Sequence, residues 1–347
     1  MSILRYLAAP LSPLYSAVVF ARNRSFDAHP ERAAHVEVPV VSVGNISTGG
    51  TGKTPLTLFL AEGLESAGWR NAVLSRGYGG RRDVDPMSVE ADSDPRQTGD
   101  EPLLLARRLG RHRVVVGRKR HAAALRALSQ RPDLRCLLLD DGFQHRALHR
   151  DLDLLVLDGV LRWGNGRMLP LGNLREPVES LARAHALVVT RAARAPVRSE
   201  IEDWWALHGS GGPIFWVDFV LGGLRRWDTG EPTPLPLAGR GPAFAWCGLG
   251  NPQAFYADLL LAGQSWAGTH SFPDHRGPSP ADLRRLQALA RAAGAGWMVC
   301  TEKDAVKLGT RHASVLEMPL FVAEQRVSGG EPLLAWVQAQ LDWPHGP

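Results

Sequence analysis

Val38-Pro39-Val40-Val41-Ser42-Val43 runs directly into Gly44-Asn45-Ile46-Ser47-Thr48-Gly49-Gly50-Thr51-Gly52-Lys53-Thr54-Pro55. The first part is an apolar strand, and because Pro39 donates no N–H and suits only a strand's start, pairing is expected over Val40–Val43. From Leu56 to Leu64 the apolar spacing becomes that of a helix. A strand, a glycine-rich loop and a helix in this order form a phosphate-binding unit. Glycines let backbone N–H groups close around phosphate oxygens, and the helix N-terminus adds partial positive charge. Ser47, Thr48, Gly49, Gly50, Thr51, Gly52, Lys53 and Thr54 are the expected nucleotide contacts, with Lys53 reaching the β- and γ-phosphates and Thr54 a magnesium ion. The strict pattern G-x-x-x-x-G-K-[ST] has glycine where this chain has Ser47, so the loop is a variant.

The composition frames this reading. A chain of 347 residues, 44% hydrophobic and 22% charged, is long enough for about two globular domains. The net charge of +5 favours an acidic partner, such as an anionic lipid surface or a phosphorylated substrate. No helix-turn-helix, RNP-like or zinc-finger pattern accompanies that charge, which argues against nucleic acid. Cys136, Cys247 and Cys300 each sit in an apolar run and read as buried thiols of a reducing compartment, with no metal-ligand pair. Lysine is scarce in this arginine-rich chain, being confined to positions 53, 119, 303 and 307, so a lysine within a motif is informative.

Outward from the loop, residues 36–191 alternate strands with helices, the pattern of an α/β parallel sheet covered on both faces. The expected strands are Val38–Val43, Asn71–Ser75, Arg113–Val116, Cys136–Leu139, Leu152–Leu157 and Ala186–Thr190. Function in such sheets collects at the carboxyl ends of strands. There Cys136-Leu137-Leu138-Leu139 runs into Asp140-Asp141-Gly142-Phe143-Gln144-His145, an apolar strand ending in carboxylates suited to hold Mg²⁺ or its waters. Thr98-Gly99-Asp100-Glu101-Pro102 opens a helix, and acids favoured by the helix dipole account for it as well as chemistry does.

Residues 3–20 are apolar, lack acids and are flanked or interrupted by Arg5, Arg22 and Arg24. Pro10 and Pro13 interrupt the run, which falls short of the roughly 20 apolar residues of a spanning helix. Two readings stand for residues 1–24: a pair of interfacial helices on an anionic bilayer, or a helix docked on the protein's own core. The phosphate-loop domain then covers residues 25–205 and a linker 206–242. In that linker Ile214–Val220 and Leu224–Trp227, separated by Gly222-Gly223, suggest a hairpin. A second, smaller α/β lobe follows over 243–347, with strands near Ala243–Cys247, Ser265–Thr269, Trp297–Cys300 and Leu320–Ala323. Thr301-Glu302-Lys303-Asp304 reads as a capping box.

In order, Ser47–Pro55, Ser75-Arg76-Gly77-Tyr78-Gly79, Gly99-Asp100-Glu101-Pro102, Asp140–His145, Leu174-Arg175-Glu176-Pro177, Phe272-Pro273-Asp274-His275 and Thr301-Glu302-Lys303-Asp304-Ala305-Val306-Lys307 resemble the tetraacyldisaccharide 4'-kinases of lipid A biosynthesis. The resemblance spans nearly the whole chain. It implies a P-loop NTPase-like fold with a second lobe joined by a β-hairpin-like link. It also implies a lipid kinase using ATP and Mg²⁺ on a lipid A disaccharide precursor, peripheral or monotopic at the cytoplasmic face of a Gram-negative inner membrane, with no protein partner implied. Carried over by position, Asp100 is the base, His275 pairs with it, and Lys53 neutralises the transferring phosphoryl group. Glu101 with Thr54 and Asp140 or Asp141 holds Mg²⁺, while Tyr78, Arg120, Gln144, Arg175 and Glu176 meet the substrate headgroup or phosphates. A ParA/MinD-like membrane ATPase is the alternative, but its loop begins with lysine in K-G-G-x-G-K-T, where this chain has Thr48. Thr301-Glu302-Lys303-Asp304 likewise departs from the N-K-x-D of GTPases.

Overall fold

The structure is a computed structural model that describes residues 10–237, 239–273 and 276–342. Residues 1–9 and the Asp274-His275 pair singled out above lie outside the described residues.

The first sheet comprises β1 (Val40–Gly44), β2 (Asn71–Ser75), β3 (Met87–Ser88), β4 (Val114–Val116), β5 (Cys136–Asp140), β6 (Leu152–Asp158), β7 (Ala186–Thr190) and β8 (Ile214–Trp216). Its order is β3-β4-β2-β5-β1-β6-β7-β8, with every pairing parallel except β3 with β4. The central strands are continuous apolar runs because both faces are covered. Val41 and Val43 face a core shared with helix α2 (Lys53–Ser66) and α3 (Asp100–Leu109). Val40, Leu137 and Leu139 face the opposite core, which includes Ala123, Ala124 and Ala127 of α4 (Arg120–Gln130). With β1 at its centre, the parallel register brings the ends of β1, β5 and β6 together beside the phosphate loop.

The chain then passes α5 (Arg198–His208), adds β8 to the first sheet, and two residues later enters β9 (Asp218–Arg226) of a second sheet. That sheet has the order β10-β9-β14-β13-β11-β12, where β10 is Pro232–Thr233, β11 Ala243–Cys247, β12 Trp266–Ser271, β13 Met298–Thr301 and β14 Leu320–Ser328. Its helices include α6 (Pro252–Leu261) and α7 (Pro280–Ala292), the latter opened by a capping box between Ser279 and Asp282.

Three expectations are corrected. Gly222-Gly223 is not a hairpin turn. Both glycines lie inside β9, which pairs antiparallel along β14, and the register skips between Glu324 and Gln325, leaving Gly222 as the extra residue of a bulge. A side chain there would meet Arg326 Cδ at 2.2 Å. The link between the lobes is therefore this long β9/β14 ribbon, and the hairpin proper joins β9 to β10. The second-lobe boundary also shifts at the C-terminus, because α8 (Glu331–Asp342) returns to the first lobe. Its Leu333, Val337 and Leu341 share the core of α2, and Leu334 sits where a side chain on Gly63 would clash. Finally, Pro13 does not break the N-terminal segment. It lies in the first turn of α1 (Leu11–Ala28), where a missing N–H costs no helical bond.

Candidate active site

β1 ends at Gly44, which must be glycine because a Cβ would lie 2.5 Å from the Phe143 backbone nitrogen. Asn45 follows and organises the loop. Its Nδ2 donates to Ser47 Oγ (3.3 Å) and Thr51 Oγ1 (3.1 Å), and its Oδ1 accepts from Lys53 Nζ (3.3 Å) and Arg175 (3.1 Å). Gly49 and Gly52 hold φ of +118° and +83°, and the space above Gly49 and Gly50 is open. The loop is also pinned from outside, through Thr48 N–H to the Asn173 carbonyl (2.7 Å) and Thr190 Oγ1 to the Thr51 carbonyl (3.0 Å). Arg191, with φ of +54° and ion-paired to buried Asp158, reaches the Gly50 carbonyl. The loop thus presents an open cradle with Lys53 and Thr54 at the N-terminus of α2, as the glycine pattern predicted.

The neighbouring acids differ sharply. Asp140 is buried at the end of β5 and accepts from Thr57 Oγ1 at 3.4 Å. Burial, reinforced by Glu101 and Asp141, pushes its carboxyl up to about 7. Asp141, in the left-handed region at φ 53°, turns instead toward Lys53 (3.5 Å) and Arg175 (2.9 Å). Burial opposes its charge, but these two cations outweigh that and hold it below the usual carboxylate range. Glu101 Oε2 accepts from Thr54 Oγ1 at 3.4 Å, which joins the start of α3 to the phosphate loop. Asp100, first residue of that helix, lies 3.5 Å from Lys307 of the second lobe, and Glu101 lies 3.9 Å from Lys303.

Among the expected substrate contacts, Tyr78 is 79% exposed on the loop after β2, whose carbonyl passes so close to Gly99 that a side chain there would clash. Gln144 donates to the Asn45 carbonyl (2.7 Å) and accepts from Arg175 (3.3 Å). Arg120 and Glu176 are not open to the site. Arg120 is 2% exposed, donating to the Gly117 carbonyl (2.6 Å), and burial pushes its guanidinium down to about 10. Glu176 is fully buried beneath α1, where Asn23 (2.7 Å) and Arg183 (3.0 Å) donate to it, so its visible work is to fasten that helix.

The structure therefore brings together Ser47–Thr54, Glu101, Asp140, Asp141, Gln144 and Arg175, with Asp100 alongside. The sequence reading gave no role to Asn45, Thr57 or Arg191, and it named Lys303 and Lys307 only within the Thr301–Lys307 motif. Asn45 was detectable as the polar residue ending an apolar strand, and Lys303 and Lys307 by the scarcity of lysine.

An open glycine cradle on a parallel sheet, with a lysine inside it and carboxylates at the next strand and helix, defines a P-loop nucleotide-dependent phosphotransferase type of site. Comparison with known proteins makes this specific. The family profile described as tetraacyldisaccharide-1-P 4'-kinase matches residues 4–342, and the chain belongs to that family. A tetraacyldisaccharide 4'-kinase of Chromobacterium violaceum is 38% identical over 344 residues, covering 98% of this chain and 95% of the relative. Another from Geobacter metallireducens is 41% identical over 331 residues, covering 91% and 94%. The solved structure of LpxK from Aquifex aeolicus, described as an "apo" form in complex with ATP, superposes with a TM-score of 0.75 at 30% identity, covering 98% of this chain and 100% of that one. The family match displaces the ParA/MinD-like alternative.

Proposed function

We propose that the chain moves the γ-phosphoryl group of ATP to the 4'-hydroxyl of a tetraacyldisaccharide 1-phosphate, a lipid A precursor, while seated peripherally on the cytoplasmic face of an inner membrane. The observation that carries this reading is the meeting of α3 and the phosphate loop. Thr54 Oγ1 and Glu101 Oε2 are 3.4 Å apart, which sets Asp100 at the edge of the cradle that holds Lys53.

The residues fit ATP and Mg²⁺. The cradle is lined by backbone and glycine, and the oxygen donors are Thr54, Glu101 and Asp140 or Asp141. Among the described residues no three His, Cys, Asp or Glu side chains form a metal cage. That suits Mg²⁺, which takes one or two carboxylates and completes its shell with phosphate and water. When bound, ATP supplies the transferable phosphoryl group and Mg²⁺ neutralises its oxygens.

Lys53 then exchanges its contact with Asp141 for the phosphates, and Arg175 retains Asp141. Asp100 accepts the proton of the sugar hydroxyl as its oxygen attacks phosphorus. His275 is proposed as its partner, and Tyr78 and Gln144 as headgroup contacts at the open mouth. Arg120 and Glu176 support the site from behind. Helix α1 leaves Leu11, Leu14, Val18 and Phe20 exposed by 58–63%, apolar area that lipid would cover. No described helix is long and apolar enough to cross a membrane.

If Asp100 is the base, Asp100→Ala lowers turnover by roughly 10²–10⁴ while leaving nucleotide affinity near wild type. Measuring kcat beside equilibrium binding of a fluorescent ATP analogue checks this, and near-normal turnover rejects the role.

A further inference from the structure

Lys307 is tied into the candidate site by a chain of contacts that the reaction scheme above does not use. Thr301 caps the short helical turn Glu302–Ala305, and its hydroxyl donates to Asp304 Oδ2 at 2.6 Å. The same oxygen accepts the Gly248 N–H at 2.9 Å, and Asp304 is fully buried at the carboxyl ends of β11 and β13. Its other oxygen receives Lys307 Nζ at 3.2 Å. From there the ammonium, on a side chain 7% exposed, reaches across the lobe boundary to Asp100 Oδ2 at 3.5 Å. The lysine stem is enclosed as well. A Cβ on Gly277 would stand 3.0 Å from Lys307 Cβ and 3.1 Å from Cδ, so the loop before α7 closes against it as only glycine allows.

We propose that Lys307 is a positioning residue for phosphoryl transfer, contributed by the second lobe, which fixes the Asp100 carboxylate at the edge of the phosphate cradle. The inference rests on the reading of Asp100 as proton acceptor. A long ammonium side chain normally loses much rotamer freedom when it is held. Here Asp304 and the Gly277 contact impose that restriction within the second lobe, before substrate arrives. Asp100 opens a helix at a loop junction, with Gly99 at φ +88° on one side and Pro102 on the other, so its orientation gains from an anchor outside its own element. The anchor also makes site completion depend on the second lobe, because Thr301, Asp304 and Lys307 all belong to it.

The test is a double-mutant cycle of Lys307→Met and Asp100→Ala, read by steady-state kinetics of label transfer from ATP to the tetraacyl disaccharide 1-phosphate. Displacement of a reacting group by about an ångström lowers kcat by about 10- to 100-fold, which is the loss expected for Lys307→Met, with Lys307→Arg recovering much of it. KM for ATP stays within about threefold of wild type, the split that separates positioning from nucleotide binding. In the Asp100→Ala background Lys307→Met causes less than about a threefold further loss, because a residue acting through Asp100 has nothing left to position. Turnover of Lys307→Met equal to wild type overturns the inference, as does an undiminished loss in the Asp100→Ala background, which would mean that the ammonium acts on phosphate directly. Full activity of Asp100→Ala instead rejects the base assignment itself. Should Lys307→Met not fold by thermal melting, Gly277→Ala, which keeps the ammonium and crowds its stem, takes its place under the same criteria.

Discussion

Asp140 and Asp141 are adjacent in sequence and opposite in circumstance, the first buried among acids and the second turned by a left-handed backbone onto Lys53 and Arg175. Their presence at the end of an apolar strand was legible in the sequence; their division of labour was not, because it depends on φ at one residue and on an arginine 34 positions away. His145 shows the same dependence on surroundings. Its Nε2 accepts the Arg120 N–H at 3.3 Å, and burial, with Arg120 and Arg150 nearby, pushes the imidazole from 6.5 down to about 4. A group whose folded value lies below its unfolded one contributes stability above the unfolded value and loses it as pH falls toward the folded one. His145 therefore contributes fully above about pH 6.5 and progressively less toward pH 4. His145→Gln keeps an acceptor for Arg120 and flattens the fall in denaturation midpoint over that interval; an identical pH profile would contradict the assignment.

At the scale of elements, the parallel strands around β1 were readable because a strand covered on both faces is a continuous apolar run, and Asn71–Ser75, Ala186–Thr190 and Ala243–Cys247 begin and end where expected. β9 was misread because Gly222-Gly223 has the composition of a tight turn, whereas its partner β14 lies about a hundred residues further on and turns the pair into a bulge. Among the substrate expectations, Glu176 was named from its motif, but only its neighbours reveal its place under α1. In α1 itself Leu11, Leu14 and Val18 recur on the outward face, while Ser12, Val19 and Asn23 face the protein. The inward face is thus docked on the protein's own core, as one of the two readings expected, and the outward face is the one available to the proposed lipid surface. With each apolar side chain worth roughly 1.5 kcal/mol on burial, Leu14→Asp with Val18→Asp lowers partitioning onto anionic vesicles by at least about tenfold. Nucleotide affinity stays unchanged, and undiminished co-sedimentation would remove α1 as the anchor.

Across the whole molecule, the two lobes are held by more than the β9/β14 ribbon. α8 returns to pack on α2, Arg194 of the first lobe pairs with Asp258 of α6 at 2.7 Å, and Arg108 of α3 bridges Glu302 (2.7 Å) and Glu62 (3.1 Å). None of these long-range pairs is signalled by local sequence pattern. Glu302 is largely buried, and burial raises its carboxyl despite Arg108. Arg108→Ala leaves that acid without its main partner and lowers stability to chemical denaturation by about 2–4 kcal/mol. Arg108→Met with Glu302→Gln recovers most of the loss, whereas an unchanged midpoint in the single variant would show that the pair adds nothing. The arrangement of phosphate cradle and acid-bearing helix is that of a phosphotransferase site in a member of the tetraacyldisaccharide-1-P 4'-kinase family. The measurement that bears on this most directly is transfer of label from γ-³²P-ATP to a tetraacyl disaccharide 1-phosphate in detergent micelles, by wild type and Asp100→Ala side by side. The account predicts labelled lipid, phosphorylated at the 4'-position, from wild type at a rate at least about a hundredfold above the variant. ATP hydrolysis without labelled lipid would contradict it.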